Sequence, residues 1–291
     1  MRIGIVGAEN SHTVAISKTL NIDKAVPGFE VTYVWGETRE YADKPAAEGQ
    51  IANIVDDYKD MIGKVDAVLV DHRNGKEHLP AATPFVEAGI PVFVDKPLCA
   101  DLAEGIAFVK LAKKRGVPIT SYSVVSLQQS SLQFAEDMKT IGPLRSLVTS
   151  GPADIESQYG GVFFYGVHQV DLICNLIPAT PTSVSTVRNG PDGAAIISFD
   201  SGAIAVVHCF KEGWSGGFQA SALGSQAVKH AVLAFDENPY LCGIQRFCKM
   251  FETKVEPVKP AAYLRPVAVL SAMQQSFDTG KPVAVAAVPD L

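Results

Sequence analysis

Two short segments carry side chains suited to proton transfer. In "VFVDKPLCADLAEG", residues 92–105, Lys96 stands at the end of an apolar strand, where its ammonium can stabilise negative charge. In "YGGVFFYGVHQVDLICNLI", residues 159–177, His168 and Asp171 are spaced i, i+3 and share one helical face. A histidine has an unperturbed pKa of about 6.5 and exchanges protons near neutral pH. The ordinary alternatives are a solvated lysine and a hydrogen-bonded core histidine.

The opening segment "GIVGAENSHTVAI" resembles a phosphate-binding glycine loop that has lost two glycines. Gly7 keeps the tight turn, whereas Glu9 and His12 stand at the second and third glycine positions. Asn10 or Ser11 can cap the following helix, whose free N–H groups attract an anion. The alternative is a turn that only joins strand to helix. The candidate cofactor residues in this loop are Gly7, Ala8, Glu9, Asn10, Ser11 and His12.

Two later loops carry further candidates for cofactor binding. After the second strand, Glu37 can bind the ribose hydroxyls, whereas Arg39 can meet a 2′-phosphate, so NAD and NADP both remain open. After the fourth strand, "VDHRNGKEHLP" places Asp71 and Asn74 either near the nicotinamide or in solvent. His72, Arg73 and His78 share this segment.

The elements that must position these side chains alternate between buried strands and amphipathic helices. Strands are predicted at residues 2–6, 30–35, 66–70, 91–94 and 117–120, and helices at 79–88 and 101–115. This α/β order predicts a Rossmann doubly wound parallel sheet over residues 1–121. Ligands bind beyond the carboxyl ends of such strands, where Asp95, Lys96 and Pro97 lie.

Residues 122–291 are predicted to form an α+β domain with a large open antiparallel sheet. "TSVSTV", "AAIISF", "AIAVVHCF" and "FQASALG" alternate with period two, and "DSG" at residues 200–202 suits a hairpin turn. Possible substrate contacts there, with structural roles at least as favoured, are Gln128, Gln129, Tyr159, Trp214 and Gln219.

Composition excludes several classes of protein. The chain has 291 residues, a net charge of −6 and no basic stripe, which argues against nucleic-acid binding. The strand-like start "RIGIV" predicts neither a signal peptide nor a membrane span, so a cytoplasmic location is expected. The five cysteines show no C-x-x-C spacing, so neither disulfides nor a metal site are expected.

The motif pair resembles the glucose-fructose oxidoreductase / inositol dehydrogenase (Gfo/Idh/MocA) family. Asp95, Lys96 and Pro97 match the family's Glu-Lys-Pro with one conservative change, and the glycine pair before Gly-x-His-x-x-Asp matches a second motif. The resemblance implies an NAD(P)-dependent oxidoreductase acting on a sugar, polyol or related small molecule. It also implies that another subunit covers the open sheet, giving a homodimer or homotetramer.

The resemblance further implies catalytic roles. His168 is expected to act as the base and Lys96 to favour the developing alkoxide, while Asp171 either orients His168 or satisfies a backbone group. The family often has an Asp where this chain has Phe164, and Tyr165 can donate a proton in its place. These departures leave a second hypothesis, a catalytically silent nucleotide- or ligand-binding regulatory protein of the same fold.

Overall fold

The first half of the chain folds into a parallel sheet of six strands. The computed structural model describes residues 1–211 and 217–291. The strands are β1 (Arg2–Val6), β2 (Glu30–Trp35), β3 (Asn53–Ile54), β4 (Ala67–Val70), β5 (Val92–Val94) and β6 (Ile119–Thr120). Their order is β3-β2-β1-β4-β5-β6, so strand order reverses between β1 and β4. This topology confirms the predicted Rossmann sheet and places the crevice above β1 and β4.

Helices connect these strands. They are α1 (Ser11–Ser17, continued by a π turn over Lys18–Ile22), α2 (Arg39–Glu48), α3 (His78–Glu87) and α4 (Leu102–Arg115). The α4 boundaries follow from its sequence, because Asp101 accepts a hydrogen bond from the Glu104 N–H at 3.0 Å. Gly116 ends the helix in the left-handed region, with φ 66°.

A second sheet has seven strands in the order β12-β11-β7-β10-β9-β8-β13. The strands are β7 (Leu144–Pro152), β8 (Pro181–Asn189), β9 (Asp192–Phe199), β10 (Ile204–Phe210), β11 (Phe218–Gly224), β12 (Val228–Leu233) and β13 (Val283–Ala284). The residue 200–202 turn joins β9 to β10 as predicted. The sheet is mostly antiparallel, but β7 and β10 pair in parallel. A parallel pair is possible here because a long connection containing a helix separates the two strands.

Four helices accompany the second sheet. They are α5 (Gln129–Met138), α6 (Gly166–Leu176), α7 (Leu241–Thr253) and α8 (Ala261–Thr279). Although α7 lies late in the chain, it packs on the first sheet: the ring centroids of Phe247 and Phe93 are 4.9 Å apart, and Phe251 and Ile5 belong to the same buried cluster. The predicted boundary at residue 121 divides the chain into two continuous segments, but α7 from the second segment packs on the sheet of the first. In the described ranges, no helix is long and apolar enough to cross a membrane.

Candidate active site

The β1–α1 loop begins at Gly7, whose φ of +97° favours glycine. A Cβ at Gly7 would lie 2.7 Å from the backbone nitrogen of His72, so the turn also needs the small residue. The N–H groups of Ala8 and Glu9 both donate 3.0 Å hydrogen bonds to Oε2 of Glu37. The carboxylate predicted to meet the ribose thus lies at the loop, at the end of β2.

The Glu9 side chain leaves the loop and reaches the second domain. Tyr159 donates a 2.6 Å hydrogen bond to Oε1 of Glu9. Arg73 donates to the Tyr159 hydroxyl oxygen at 3.3 Å, and its guanidinium lies 5.2 Å from the centre of that ring. These contacts give the carboxylate a partner away from the loop amides.

A buried polar network connects α1 to the ends of β4 and β5. Nδ1 of His12 lies 3.2 Å from Oδ2 of Asp95 and 3.5 Å from Oδ1 of Asp71. The Asn10 amide donates to both carboxylates, at 3.1 Å to Asp71 and 3.3 Å to Asp95. Thr13 donates a 2.6 Å hydrogen bond to the second oxygen of Asp71. The cluster brings together four residues that the sequence analysis assigned to cofactor binding.

Charges in this network shift one another's pKa values. Burial opposes the charge on His12, but Asp95 and Asp71 outweigh it and raise the pKa of His12 to about 9. Burial raises the pKa of Asp71. Burial also opposes ionisation of Asp95, yet Lys96 and His12 together hold its pKa below the ordinary value. His12, Asp71 and Asp95 each have an atom able to coordinate a metal ion, and these three atoms lie within 4.8 Å of one another. The Asn10 amide already donates hydrogen bonds to both carboxylates.

Lys96 and His168 both lie close to the Tyr165 ring. Nζ of Lys96 is 6.0 Å from the Tyr165 ring centre and 5.7 Å from that of Phe164. The His168 ring centroid is 5.6 Å from that of Tyr165. Lys96 is 7% exposed and His168 6%, whereas Tyr165 is 41% exposed. Nζ of Lys96 also lies 3.7 Å from Oδ2 of Asp95, which anchors the ammonium.

Among the described residues, the side-chain hydrogen-bond partner of His168 is Ser123, which no sequence pattern indicated. Oγ of Ser123 lies 2.8 Å from Nδ1 of His168. In the described part of the chain, Asp171 makes no hydrogen bond to His168; it accepts from Ser126 at 2.5 Å and from Asn175 at 3.0 Å. Burial raises the pKa of Asp171 to about 7. Burial and the nearby Lys96 lower the pKa of His168 well below its usual value.

The segment after β4 is mostly buried. Both ring nitrogens of His78 contact carbonyl oxygens, at 2.7 Å to Pro97 and 2.8 Å to His72, so this residue joins two crevice loops. Burial and His78 lower the pKa of His72 to about 4, which keeps its ring neutral. Asn74 instead forms a turn, accepting a hydrogen bond from the Lys76 N–H at 3.1 Å.

The other possible contacts divide between the crevice and the scaffold. Tyr159 lies in the crevice through Glu9 and Arg73. Gln128 is buried and hydrogen-bonds to backbone groups of Val124, Asp236 and Pro239. Gln129 and Gln219 are exposed, at the start of α5 and on β11 respectively. Trp214 lies outside the described residues.

An open cavity of about 480 Å³ adjoins these aromatic rings and is lined by residues of the second domain. Its lining includes Tyr159, Phe164 and Tyr165, together with Asp154 and Lys211, whose charged atoms are 3.6 Å apart. Rings beside polar groups suit a ligand with both C–H faces and hydroxyls. Tyr165 in this lining also lies 6.0 Å from Nζ of Lys96 and 5.6 Å, between ring centroids, from His168.

The residues around the crevice fit a dinucleotide. Gly7 allows close approach, Glu37 provides a carboxylate for a ribose, and the α1 start provides N–H groups. Two buried polar atoms, Nδ1 of His72 and Nε of Arg73, have no hydrogen-bond partner among the described residues, so this loop retains unused polar capacity.

Comparison with known proteins identifies the same fold. Residues 1–123 match the Gfo/Idh/MocA model, described as an oxidoreductase family with an NAD-binding Rossmann fold. The fold is similar to that of myo-inositol 2-dehydrogenase from Lactobacillus plantarum, with a TM-score of 0.86, 18% identity and coverage of 98% of this chain and 99% of the other.

Two further structures share the whole architecture. One is scyllo-inositol dehydrogenase from Lactobacillus casei with bound NAD(H) and scyllo-inositol, with a TM-score of 0.83, 15% identity and 99% coverage of both chains. The other is GenD2 from gentamicin A biosynthesis in complex with NAD, with a TM-score of 0.84, 17% identity and coverage of 99% of this chain and 97% of the other. At these identities the likeness establishes the fold.

Proposed function

We propose that this chain, whose residues 1–123 match the Gfo/Idh/MocA oxidoreductase family with its NAD-binding Rossmann fold, is an NAD(P)-dependent oxidoreductase of that family acting on CH–OH groups of a sugar or polyol. The observation that carries the proposal is the placement of Lys96 and His168 close to the same ring, that of Tyr165. These two side chains come from different domains and meet beside a cavity large enough for a small ring.

The crevice favours NAD over NADP. Glu37 lies where a ribose would be held, and its negative charge would repel a 2′-phosphate. Arg39, the candidate for binding that phosphate, is paired with Asp43 at 2.9 Å and lies 3.8 Å from Asp56. When bound, the nicotinamide supplies the site that accepts or donates a hydride. Titration with NADH and NADPH is expected to give tighter binding of NADH.

Two tasks then fall to the protein: to exchange the hydroxyl proton and to stabilise charge on the reacting oxygen. Lys96 and His168 are the candidates for both, because they lie close to one ring and are almost fully buried. Tyr165 is close to both of them, is partly exposed and is available to contact the same oxygen. Phe164 stands where the family often has a carboxylate and makes this wall of the site apolar.

The proposed substrate class is supported by the cavity and by structures of the same fold. Structures with this fold include inositol dehydrogenases, and the cavity combines the Tyr159, Phe164 and Tyr165 rings with charged groups. Aromatic rings pack against the C–H faces of sugar rings while polar groups bind hydroxyls. Single-turnover assays with NAD and a panel of cyclic polyols and sugars test the proposal. Coenzyme binding without any hydride transfer would contradict it.

A specific observation favours a second candidate, a nucleotide- or ligand-binding regulatory protein without turnover. Glu37 already accepts the two loop N–H groups of Ala8 and Glu9, and His12 fills the position of the third loop glycine. The same titration and single-turnover assays separate the candidates. The regulatory protein would bind a nucleotide and transfer no hydride from any substrate on the panel.

We further propose a homodimer or homotetramer built on the open face of the second sheet. Strand pairing places several exposed apolar side chains on one face: Val187, Ile196, Ile204, Leu223, Val228 and Val232. An apolar face of this extent favours association with a second copy. A monomer mass independent of concentration in light scattering would contradict this.

The five cysteine thiols are all unpaired, which supports a cytoplasmic location.

A further inference from the structure

Ser123 follows the last strand of the first sheet and is completely buried. Its hydroxyl oxygen makes two contacts. It accepts a 3.1 Å hydrogen bond from the Val125 N–H, and it lies 2.8 Å from Nδ1 of His168. The residue thus touches the imidazole from the side of the first domain.

Counting protons decides the direction of the second contact. A serine hydroxyl has one proton to donate, and the Val125 amide can only donate. If Nδ1 of His168 carried a proton, Ser123 would accept both hydrogen bonds, and its own buried proton would have no acceptor among the described residues. Buried polar groups without partners are strongly disfavoured. The arrangement that satisfies every group has Ser123 donating to Nδ1, which leaves the proton of a neutral imidazole on Nε2.

We propose that Ser123 is a positioning residue that holds His168 as its Nε2–H tautomer, so that His168 donates a hydrogen bond to the substrate oxygen and Lys96 exchanges the hydroxyl proton. This assignment rests on the proposed function. In the direction of carbonyl reduction an N–H bond of the Lys96 ammonium breaks and an O–H bond forms on the substrate oxygen, while the Nε2–H of His168 stays in place; alcohol oxidation is the reverse. A neutral histidine is able to act in this way as an electrophile.

The surroundings of His168 favour the neutral ring. Burial and the positive charges of Lys96 and His12 disfavour protonation, and Asp95 opposes them only in part. The rings of Tyr165 and Phe218 contact the imidazole, at 5.6 and 5.5 Å between centroids, and neither supplies a carboxylate to pair with an imidazolium. Within the described residues, Nε2 has no hydrogen-bond partner of its own, so it is available to a ligand.

The tautomer is measurable without turnover, and the first experiment therefore stands apart from the proposed function. Long-range ¹H–¹⁵N spectra of ¹⁵N-histidine-labelled protein near neutral pH report the protonation of each ring nitrogen, and a His168→Gln sample identifies the His168 signals. The expected result is a protonated Nε2 and an unprotonated Nδ1. An Nδ1–H tautomer or an imidazolium would overturn the proposal.

Variants of Ser123 test its positioning role. Ser123→Ala is expected to give a mixture of tautomers and a kcat about tenfold lower at nearly constant KM, and Ser123→Thr, which keeps the hydroxyl, to restore the single tautomer. Ser126→Ala is the matched control, since it removes a nearby hydroxyl that contacts Asp171 instead. It should leave the His168 tautomer unchanged. A single Nε2–H tautomer in Ser123→Ala would show that Ser123 does not select it.

Variants of His168 separate a donor from a base. Glutamine can still donate an amide N–H at this position but cannot take up a proton, whereas alanine can do neither. His168→Ala is expected to lose on the order of 100-fold in kcat, as when one oxyanion donor is removed, and His168→Gln to retain about tenfold more activity than His168→Ala. Equal loss in the two variants would overturn the donor role, provided that both bind NADH like the wild type.

Discussion

The hydroxyl of Tyr159 donates a 2.6 Å hydrogen bond to Oε1 of Glu9, joining the phosphate-binding loop of one domain to the cavity wall of the other. A carboxylate in place of a loop glycine would repel a phosphate at short range. Its contact with Tyr159, supported by Arg73 at 3.3 Å, keeps it turned away. A residue that resembles a defect in the loop therefore forms a bridge between domains.

Removing this bridge should weaken coenzyme binding. Tyr159→Phe deletes the hydroxyl and frees the Glu9 carboxylate to turn towards the loop. A solvated charge about 4 Å from a phosphate costs about 1 kcal/mol, so NADH should bind about fivefold more weakly by calorimetry. Combining Tyr159→Phe with Glu9→Gln removes the charge and should restore affinity. Tyr41→Phe, at an exposed tyrosine, is the control. Unchanged affinity in Tyr159→Phe would show that the bridge does not restrain Glu9.

Replacing Lys96 should affect turnover far more than coenzyme affinity. Lys96→Met keeps a long side chain but removes the ammonium 3.7 Å from Asp95, so proton exchange is lost. We expect kcat to fall by about 10²- to 10⁴-fold while NADH affinity changes little. Lys110→Met, at an exposed position on α4, is the matched control. Turnover by Lys96→Met at the rate of wild type would exclude Lys96 from the chemistry.

Local sequence patterns predicted the scaffold better than the contacts within the site. Strand periodicity located β1 and β2 at their observed bounds, and a capping residue with a terminal glycine located α4. The contacts of Ser123 with His168 and of Tyr159 with Glu9 join residues 45 and 150 positions apart. No local period encodes such pairs, because they depend on how segments far apart in the chain pack together. The role of Asp171 was left open for the same reason, and its partners proved to be Ser126 and Asn175.

The charge on His12 should make stability depend on pH at the alkaline side. Its pKa rises from 6.5 to about 9 in the folded protein, because Asp95 and Asp71 outweigh the effect of burial. Because the pKa is higher in the folded protein, the charged His12 contributes its full stabilisation below pH 6.5. This contribution is lost as the pH rises through about 9. The loss is on the order of 3 kcal/mol.

Urea unfolding of wild type and His12→Gln across this pH range measures the effect. The difference in unfolding free energy between the two proteins should shrink as the pH rises, since the variant has no imidazolium to lose. His230→Gln, at an exposed histidine on β12, should follow wild type throughout. A constant difference across the range would indicate that His12 is uncharged in the fold.

The ionisation of Asp171 should change the free energy of unfolding between acidic and neutral pH. Burial raises its pKa from 3.8 to about 7, even though Ser126 and Asn175 donate hydrogen bonds to it. Because the folded pKa lies above the unfolded value, the contribution to stability is greatest below 3.8 and falls as the pH rises through about 7. The carboxylate is then buried with hydrogen bonds but without a close cation among the described residues.

Asp171→Asn should therefore gain stability relative to wild type as the pH rises from about 4 to 7, by on the order of 4 kcal/mol. Asparagine has a similar shape, cannot ionise and still accepts the Ser126 proton. Urea unfolding at several pH values measures the difference, with Asp290→Asn at an exposed position as the control. The same measurement distinguishes two roles for the residue. A variant that becomes less stable towards neutral pH would mean that Asp171 is ionised and paired in the fold, contrary to the burial that surrounds it.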